Sequence, residues 1–258
     1  MKMNRPRGRK VEPVPRIPRI ASVAARIKSV LRSLADPEKA RGGKSYFKEP
    51  VLLYGVSSAE SRGLALEIYG QVKAFWGWRE ATALADRLLP DPHLEVKAVA
   101  IILLGRFVKE APASLFGKAK SWLLAEYCNN WASVDTLCPE VLSPLMARFP
   151  ALLGQVESWT SARNRWLVRA SAVSLILLAR RGKELERAYA VARRLFCSED
   201  DLIQKATGWL LREAGKTDMK RLEAFLLAHG PKIPRTTLRY AIERFEPSAR
   251  RRLLAGTR

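Results

Sequence analysis

LEVKAVAIILL, residues 94–104, returns twice further along the chain in altered form. Residues 166–178 read WLVRASAVSLILL, and residues 202–211 read LIQKATGWLL. The three segments superpose on a basic residue followed by alanine, at Lys97-Ala98, Arg169-Ala170 and Lys205-Ala206. The offsets between them are 72 and 36 residues, which indicates a repeating unit of 36 residues. A helical repeat of that length is typical of an α-solenoid, in which paired helices stack one repeat on the next.

Apolar residues recur at helical spacing through almost the whole chain after residue 20. Examples are ASVAARIKSVLRSLA at 21–35 and LALEIYGQVKAFW at 64–76. No segment alternates convincingly between apolar and polar residues as a half-buried strand does, and glycines and prolines such as Pro139 and Gly230-Pro231 punctuate the helices. We predict an all-α protein of about ten to twelve helices, arranged as a curved α-solenoid with a basic concave face.

The beginning of the chain differs from the rest in composition. Residues 1–20 contain seven Lys and Arg, a single Glu and four prolines. Because the prolines oppose both regular helix and central strand, we predict a flexible basic arm over 1–20. The arm is interpreted either as a solubility tail or as a contact to nucleic-acid phosphates. Residues 21–258 are predicted to form a single domain of helical repeats.

The chain carries 46 Lys and Arg against 25 Asp and Glu, for a net charge of +21. Such a surplus indicates a polyanionic partner, nucleic acid first and an anionic membrane surface second. No apolar run reaches the roughly 18 residues of a transmembrane helix, and residues 1–20 lack the apolar core of a secretory signal. Three cysteines without paired spacing and two distant histidines, His93 and His229, favour a reduced, cytoplasmic protein with no metal site.

The basic residues of the three aligned helices occupy equivalent positions in the repeat. Stacked repeats place equivalent side chains in a row, so Lys97, Arg169 and Lys205 are expected to form a basic row on the concave face. A basic row is often no more than a solvated surface. Here it agrees with the charge of the whole chain, and we therefore predict that it binds nucleic acid.

The segment NNWASVDTLC, residues 129–138, places a carboxylate beside an indole in this basic chain. Trp131 and Asp135 are four residues apart and so share one helix face. Asn129 or Asn130 is the expected N-cap, and Pro139 is expected to end or kink the helix. Taken alone, the tryptophan reads as a core residue and the aspartate as a solvated or capping one.

Neighbouring repeats supply further groups of the same kind. SARNRWLVRASAV brings Arg163, Arg165 and Arg169 together, and DLIQKATGWLLRE places Lys205 and Trp209 on one helix face. PRTTLRYAIERF, residues 234–245, adds another basic and aromatic helix. A solenoid could bring these groups onto one surface with Trp131 and Asp135. Because a carboxylate repels phosphate, its presence there indicates a positively charged object opposite it.

Four segments together resemble the DNA alkylation repair glycosylases of the AlkD type, which are built from HEAT-like repeats. The segments are NNWASVDTLC, RNRWLVRASAV, QKATGWLLRE and LRYAIERF. The resemblance runs in order over most of residues 45–245 and is strongest from Gln204 to Glu213. It is looser in SYFKEPVLLYGVSSAESRG, residues 45–63. The family has an aromatic-Lys pair, an aromatic-x-Gly-Val/Ile turn, and then Pro and paired Arg. This chain has Tyr46, Phe47 and Lys48 and then Tyr54, Gly55 and Val56, but it has Ala59 and a single Arg62.

The resemblance implies a function and roles for individual residues. It implies excision of alkylated purines such as 3-methyladenine and 7-methylguanine from duplex DNA by a monomer, without metal or organic cofactor and without an enclosing base pocket. Asp135 would be the catalytic carboxylate, with Trp131 and Trp209 against the cationic lesion or its sugar. DNA contacts are expected from the basic residues of the aligned and neighbouring positions, namely Arg169, Lys205, Arg165, Lys97 and Arg163.

Two other classes of function fit the same charge and repeats. A non-catalytic HEAT-repeat scaffold would bind nucleic acid, or a protein, through the basic groove, and an enzyme acting on RNA would show the same composition. The carboxylate of Asp135 separates the enzyme from the scaffold, since phosphate binding alone gives no reason to present it.

Overall fold

Local sequence determines where many of the helices begin. The side chains of Asp36, Asn130, Asn164, Asp200 and Asp218 each accept a hydrogen bond from a backbone N–H in the first turn that follows. Such caps satisfy donors that have no partner inside the helix. Ser57 and Glu60 form a reciprocal capping box at the start of another helix. Short polar residues therefore separate the apolar repeats into discrete helices.

The computed structural model describes residues 17–257, and these form an all-α solenoid. The helices are α1 (Ile20–Ser33), α2 (Pro37–Lys44), α3 (Ser58–Val72), α4 (Trp78–Leu88), α5 (Leu94–Gly105), α6 (Ser114–Leu124), α7 (Trp131–Leu137), α8 (Ser143–Arg148), α9 (Leu153–Ser158), α10 (Arg165–Val173), α11 (Ile176–Ala179), α12 (Leu185–Leu195), α13 (Asp201–Ala214), α14 (Met219–His229), α15 (Arg235–Ala241) and α16 (Pro247–Gly256). Between residues 17 and 257 the only bridge of β type is an isolated one from Leu52 to His93.

Six helices form a row in which each packs on the next. This first row consists of α3, α5, α7, α10, α13 and α15. Its members begin at residues 58, 94, 131, 165, 201 and 235, so successive starts are 34 to 37 residues apart. The predicted repeat of about 36 residues is thereby confirmed. The helices between them, including α4, α6, α12 and α14, make up the second half of each repeat.

The number of helical segments exceeds the ten to twelve that were expected. The difference comes from short segments in the middle of the chain, where α7 passes through a π-helical turn at Cys138–Leu142 into α8. Pro139 lies in that turn, as expected of a proline that kinks or ends a helix. Two 3₁₀ turns, Pro150–Leu152 and Trp159–Ser161, then interrupt the chain before α10.

One hydrophobic core runs from Val23 to Leu253. α5 contributes most completely, because its residues from Val96 to Leu104, apart from Ala98, are buried. Burial on nearly all sides explains why this helix lacks the polar face of its neighbours. The core therefore links successive repeats without a break.

Residues 46–49, called here the crossing segment, follow α2 and reach across the first row. Phe47 stacks on Trp131 of α7, with ring centroids 5.0 Å apart. The ammonium of Lys48 lies 3.4 Å from Asp201 of α13, and Glu49 accepts a hydrogen bond of 2.8 Å from Arg165 of α10. The segment thus touches three consecutive helices that belong to later repeats.

The predicted arm over residues 1–20 falls mostly outside the described residues, which begin at Ile17. The carbonyl of Pro18 accepts a hydrogen bond of 2.9 Å from the indole of Trp76, just before α1 starts. The division into an arm and a single domain over 21–258 stays a prediction. Of the helices between residues 17 and 257, none has the length and apolar character needed to cross a membrane.

Candidate active site

A cleft of about 400 Å³ opens along the first row, across α7, α10, α13 and α15. α7, α10 and α15 contribute side chains from their first two turns, and α13 contributes side chains from its first four turns. The crossing segment adds a residue from the side of α2. The cleft is lined by Tyr46, Trp131, Asp135, Arg169, Leu202, Lys205, Trp209, Arg212 and Tyr240. The structure therefore brings together Trp131, Asp135, Arg169, Lys205 and Trp209 from three repeats.

Asp135 and Arg169 form a bidentate ion pair in this cleft. The Nε and Nη2 groups of Arg169 donate to the two carboxylate oxygens at 2.9 and 2.8 Å. Arg169 also donates through Nη1 to the carbonyl of Leu202. The Arg169 side chain is 6% exposed and that of Asp135 17% exposed. Burial raises the pKa of the Asp135 carboxyl, whereas the charge and hydrogen bonds of Arg169 act in the opposite direction.

Trp131 is fixed at the start of α7 by its neighbours in sequence and in space. Asn130 is the N-cap, and its Oδ1 accepts a hydrogen bond of 2.9 Å from the backbone N–H of Ser133. The indole Nε1 of Trp131 donates to the carbonyl of Tyr46 at 3.3 Å. Phe47 stacks on the indole at an interplanar angle of 16°. The crossing segment therefore holds the ring at the border of the cleft.

Trp209 and Lys205 reach the cleft from α13, four residues apart on one face. Gly208 allows this helix to lie close to α15, because a Cβ at that position would stand 2.4 Å from Cβ of Tyr240 and 2.5 Å from the carbonyl oxygen of Thr237. The ammonium of Lys205 lies 2.9 Å from Asp201. Their hydrogen bond raises the pKa of Lys205 and lowers the pKa of Asp201.

The expected basic row of Lys97, Arg169 and Lys205 is corrected by the structure. Lys97 and Arg169 are each only 5% exposed, so two members of the row are buried rather than solvated. Lys97 donates to the carbonyl of Tyr127 at 2.6 Å and does not line the cleft. The repeat does align these positions, but the apolar packing around each helix determines how much of each side chain meets solvent.

Arg165 and Arg163 lie beside the cleft rather than in it. Arg165 is held between two carboxylates, Glu49 at 2.8 Å and Asp200 at 2.8 Å, and its guanidinium lies over the ring of Trp166. Arg163 is exposed in the turn before α10. Most cations of the region are thus paired with carboxylates in this structure, and the site is an ion-pair network around a cleft.

Besides Leu202, three residues of the cleft were not singled out from the sequence: Tyr46, Arg212 and Tyr240. Arg212 follows Trp209 by three residues and forms an ion pair with Glu243 of the neighbouring repeat. The spacing of three residues predicts that Arg212 shares a helix face with Trp209, so the sequence could have identified it. Tyr240 lies within the basic and aromatic segment 234–245 and is recognisable only once α15 is placed beside α13. Tyr46 arrives from a non-helical segment, so no periodicity could place it.

The arrangement suits the binding of a positively charged group. The cleft combines a carboxylate with two indoles, whose faces attract cations, and the guanidinium of Arg169 fixes the orientation of the carboxylate. Between residues 17 and 257, no three His, Cys, Asp or Glu side chains are grouped so as to hold a metal ion.

Comparison with known proteins gives three findings. A solved structure, a predicted DNA alkylation repair enzyme from Enterococcus faecalis, shares the fold with a TM-score of 0.72 at 19% identity, over 83% of this chain and 97% of that chain. A comparison with curated proteins finds no match. The family model described as DNA alkylation repair enzyme matches residues 27–245. Since the match covers most of the 258 residues, the chain belongs to the family of DNA alkylation repair enzymes.

Proposed function

We propose that the protein is a monofunctional DNA glycosylase that hydrolyses the N-glycosidic bond of cationic alkylated purines, such as 3-methyladenine and 7-methylguanine, in duplex DNA. Family membership supports a role in the repair of alkylated DNA. The observation that carries the proposal is the Asp135 carboxylate, which lines the same cleft as Trp131 and Trp209. We further propose that the protein acts as a monomer and without a cofactor.

The number of carboxylates in the cleft fits a substrate that is already charged. Glycoside hydrolases generally use two carboxyl groups, one of which protonates the leaving atom. An alkylated purine carries a formal positive charge and leaves as a neutral base without being protonated. A single carboxylate then suffices, and among the nine lining residues that the structure describes, Asp135 is the one carboxylate.

Asp135 stabilises the positive charge that develops on the deoxyribose as the bond breaks. Arg169 occupies one hydrogen-bonding position on each carboxylate oxygen. Each oxygen retains a further lone pair, which can orient the attacking water. Trp131 and Trp209 present their π-faces to the cationic lesion or its sugar. The protein thus provides a negative charge and orients the water and the substrate, whereas the positive charge of the alkylated base already makes it a good leaving group.

DNA contacts are assigned to the cations around the cleft. Arg169 uses three of its five N–H groups on Asp135 and Leu202, which leaves two for a phosphate oxygen. Lys205, Arg165 and Arg163 lie at or beside the cleft, and Lys97 lies in the preceding repeat. For Lys205, a phosphate replaces Asp201, whose side chain is 35% exposed, and the Arg165 side chain, which is 43% exposed, can add a phosphate to its two carboxylate partners.

Base release is the direct test. Methylated duplex DNA is incubated with wild-type protein or with the Asp135→Asn variant, and the released bases are separated by chromatography. Release of 3-methyladenine or 7-methylguanine above the spontaneous rate is expected from the wild type. The variant is expected to lose about 10²- to 10³-fold of that rate while still binding DNA.

The control is Glu186→Gln, which neutralises an exposed carboxylate on α12 and should leave release unchanged. DNA binding without any base release would contradict the glycosylase activity and favour the non-catalytic scaffold. Preferential release from methylated RNA would move the assignment to an RNA-processing enzyme. A fully active Asp135→Asn variant would remove Asp135 from the mechanism.

A further inference from the structure

A second pocket lies beside the cleft and contains Lys97, one of the cations assigned to DNA contacts above. Its volume is about 470 Å³, and the polar residues in its wall are Lys44, Glu49, Lys97, Asn129 and Asn130. It adjoins the cleft, because Asn130 lines the pocket and the next residue, Trp131, lines the cleft. The crossing segment is also shared, through Glu49 on one side and Tyr46 on the other.

Lys97 is the unusual member of this wall. Its side chain is almost wholly buried, and its ammonium donates to the carbonyl of Tyr127 at 2.6 Å. Among residues 17–257, Lys48, Lys118 and Lys205 each have a carboxylate partner, whereas Lys97 has none. A buried charge without a counter-ion is unfavourable, and burial accordingly lowers the pKa of Lys97. Two of the three ammonium N–H groups remain for another acceptor.

Apart from Glu49, the other polar groups of the wall also favour an acceptor. Asn130 is 3% exposed, and its Oδ1 already caps α7, which leaves the amide nitrogen as its donor. Asn129 and Lys44 are exposed at the rim. Glu49 is the one acidic group among the described residues of the wall; Arg165 pairs with its Oε1 at 2.8 Å, and its Oε2 is buried without a hydrogen-bond partner. The pocket therefore has a surplus of positive charge and of hydrogen-bond donors.

We propose that this pocket binds a phosphate group, with Lys97 as its buried cation and Asn130 as a second donor. Phosphate oxygens accept charge-assisted hydrogen bonds from both kinds of group. In the context of the proposed function, on which this part rests, the group is a backbone phosphodiester close to the damaged nucleotide. A free phosphate monoester has the same chemistry, and the experiment distinguishes the two sources.

The experiment measures binding to unmodified duplex DNA over a range of salt concentrations. Lys97→Met removes the charge and keeps an apolar side chain of similar length at a buried position. It is expected to weaken binding about tenfold at 0.1 M salt and to reduce the slope of log affinity against log salt by about one. The control, Lys118→Met, removes a cation of α6 that is paired with Asp86, and should leave the slope unchanged.

A second variant and a second ligand complete the test. Lys97→Gln keeps a donor for the Tyr127 carbonyl, removes the charge and should show the same loss if Lys97→Met does not fold. Inorganic phosphate at constant ionic strength should raise the melting temperature of the wild type alone if the source is a free phosphate. Weakened DNA binding without that rise assigns the pocket to the DNA backbone.

Unchanged DNA binding by both folded variants, together with no effect of phosphate on wild-type melting, would overturn the proposal. Because undamaged DNA is used, this outcome is independent of base release. If the protein binds DNA through the pocket but releases no base, the result would contradict the proposed glycosylase activity and still support the phosphate site.

Discussion

Both carboxylate oxygens of Asp135 are bound by the guanidinium of Arg169, which comes from the next repeat 34 residues later. The candidate catalytic group is therefore oriented by a different helix from the one that carries it. Each partner compensates the charge of the other in a position that is largely removed from solvent. The stacking of α7 on α10 is thus a condition for the geometry of the site.

Removing one member of this pair is expected to destabilise the fold. Each of the single variants Asp135→Asn and Arg169→Met leaves a buried charge uncompensated. Each should therefore lower the free energy of unfolding by about 3–5 kcal/mol. The double variant should lose clearly less than the sum of the two, since no unpaired charge remains. Urea denaturation of the four proteins measures the coupling. Additive losses would show that the two side chains do not depend on each other.

The rate of base release is expected to fall on the acidic side of neutrality. Only the ionised Asp135 can stabilise a cationic sugar, and burial raises its pKa above the ordinary 3.8. As the pH falls through that raised pKa, the carboxylate takes up a proton and release is lost. The decline therefore starts at a higher pH than an exposed aspartate would give. Initial rates, corrected for spontaneous depurination, measure it, and a rate that stays constant down to pH 4 would contradict it.

Trp209 is expected to act through its π-face. Replacing it by Phe weakens the attraction for a cation and replacing it by Leu removes it, so release should fall in that order. Since a cation–π contact contributes about 0.5–2 kcal/mol, the total loss should be about 2- to 30-fold. Single-turnover rates on 7-methylguanine give the values. The control is Trp78→Leu on α4, outside the cleft, and equal rates for the Phe and Leu variants would argue against the interaction.

Gly208 is expected to resist substitution. A Cβ there would meet the backbone of Thr237 and the side chain of Tyr240, so Gly208→Ala must push α15 away from α13. We expect a loss of about 1–3 kcal/mol and slower base release, because Tyr240 leaves the cleft. Gly117→Ala on α6 meets nothing within 4 Å and should instead stabilise the protein by about 0.5–1 kcal/mol. Equal melting temperatures for the two variants would refute this account.

The repeat architecture could be predicted because helix spacing is a local property. The alignment of Lys97, Arg169 and Lys205 identified equivalent positions of α5, α10 and α13, and the structure places them so. Their exposure could not be predicted in this way, because burial depends on neighbours that are distant in sequence. Lys97 illustrates the failure: its helix is buried on nearly every side, which a repeat alignment does not reveal.

The site could be predicted where its residues lie on first-row helices. Trp131, Asp135, Arg169 and Trp209 occupy one cleft because stacked helices place their equivalent turns side by side. Tyr46 could not be found, since its segment crosses three repeats with no periodic signal. The acidic partners of the basic residues were also missed, because pairs such as Arg165 with Glu49 join positions 116 residues apart.

The crossing segment has a consequence for cooperativity. In a repeat array whose units contact only their neighbours, an end can unravel while the remainder stays folded. The contact between Lys48 and Asp201 spans 153 residues, and Phe47 adds an aromatic contact on Trp131. Fraying of the amino-terminal repeats therefore removes the packing of the Trp131 indole at the centre of the array. Loss of structure in the first helices would then disturb a residue that we propose contacts the substrate.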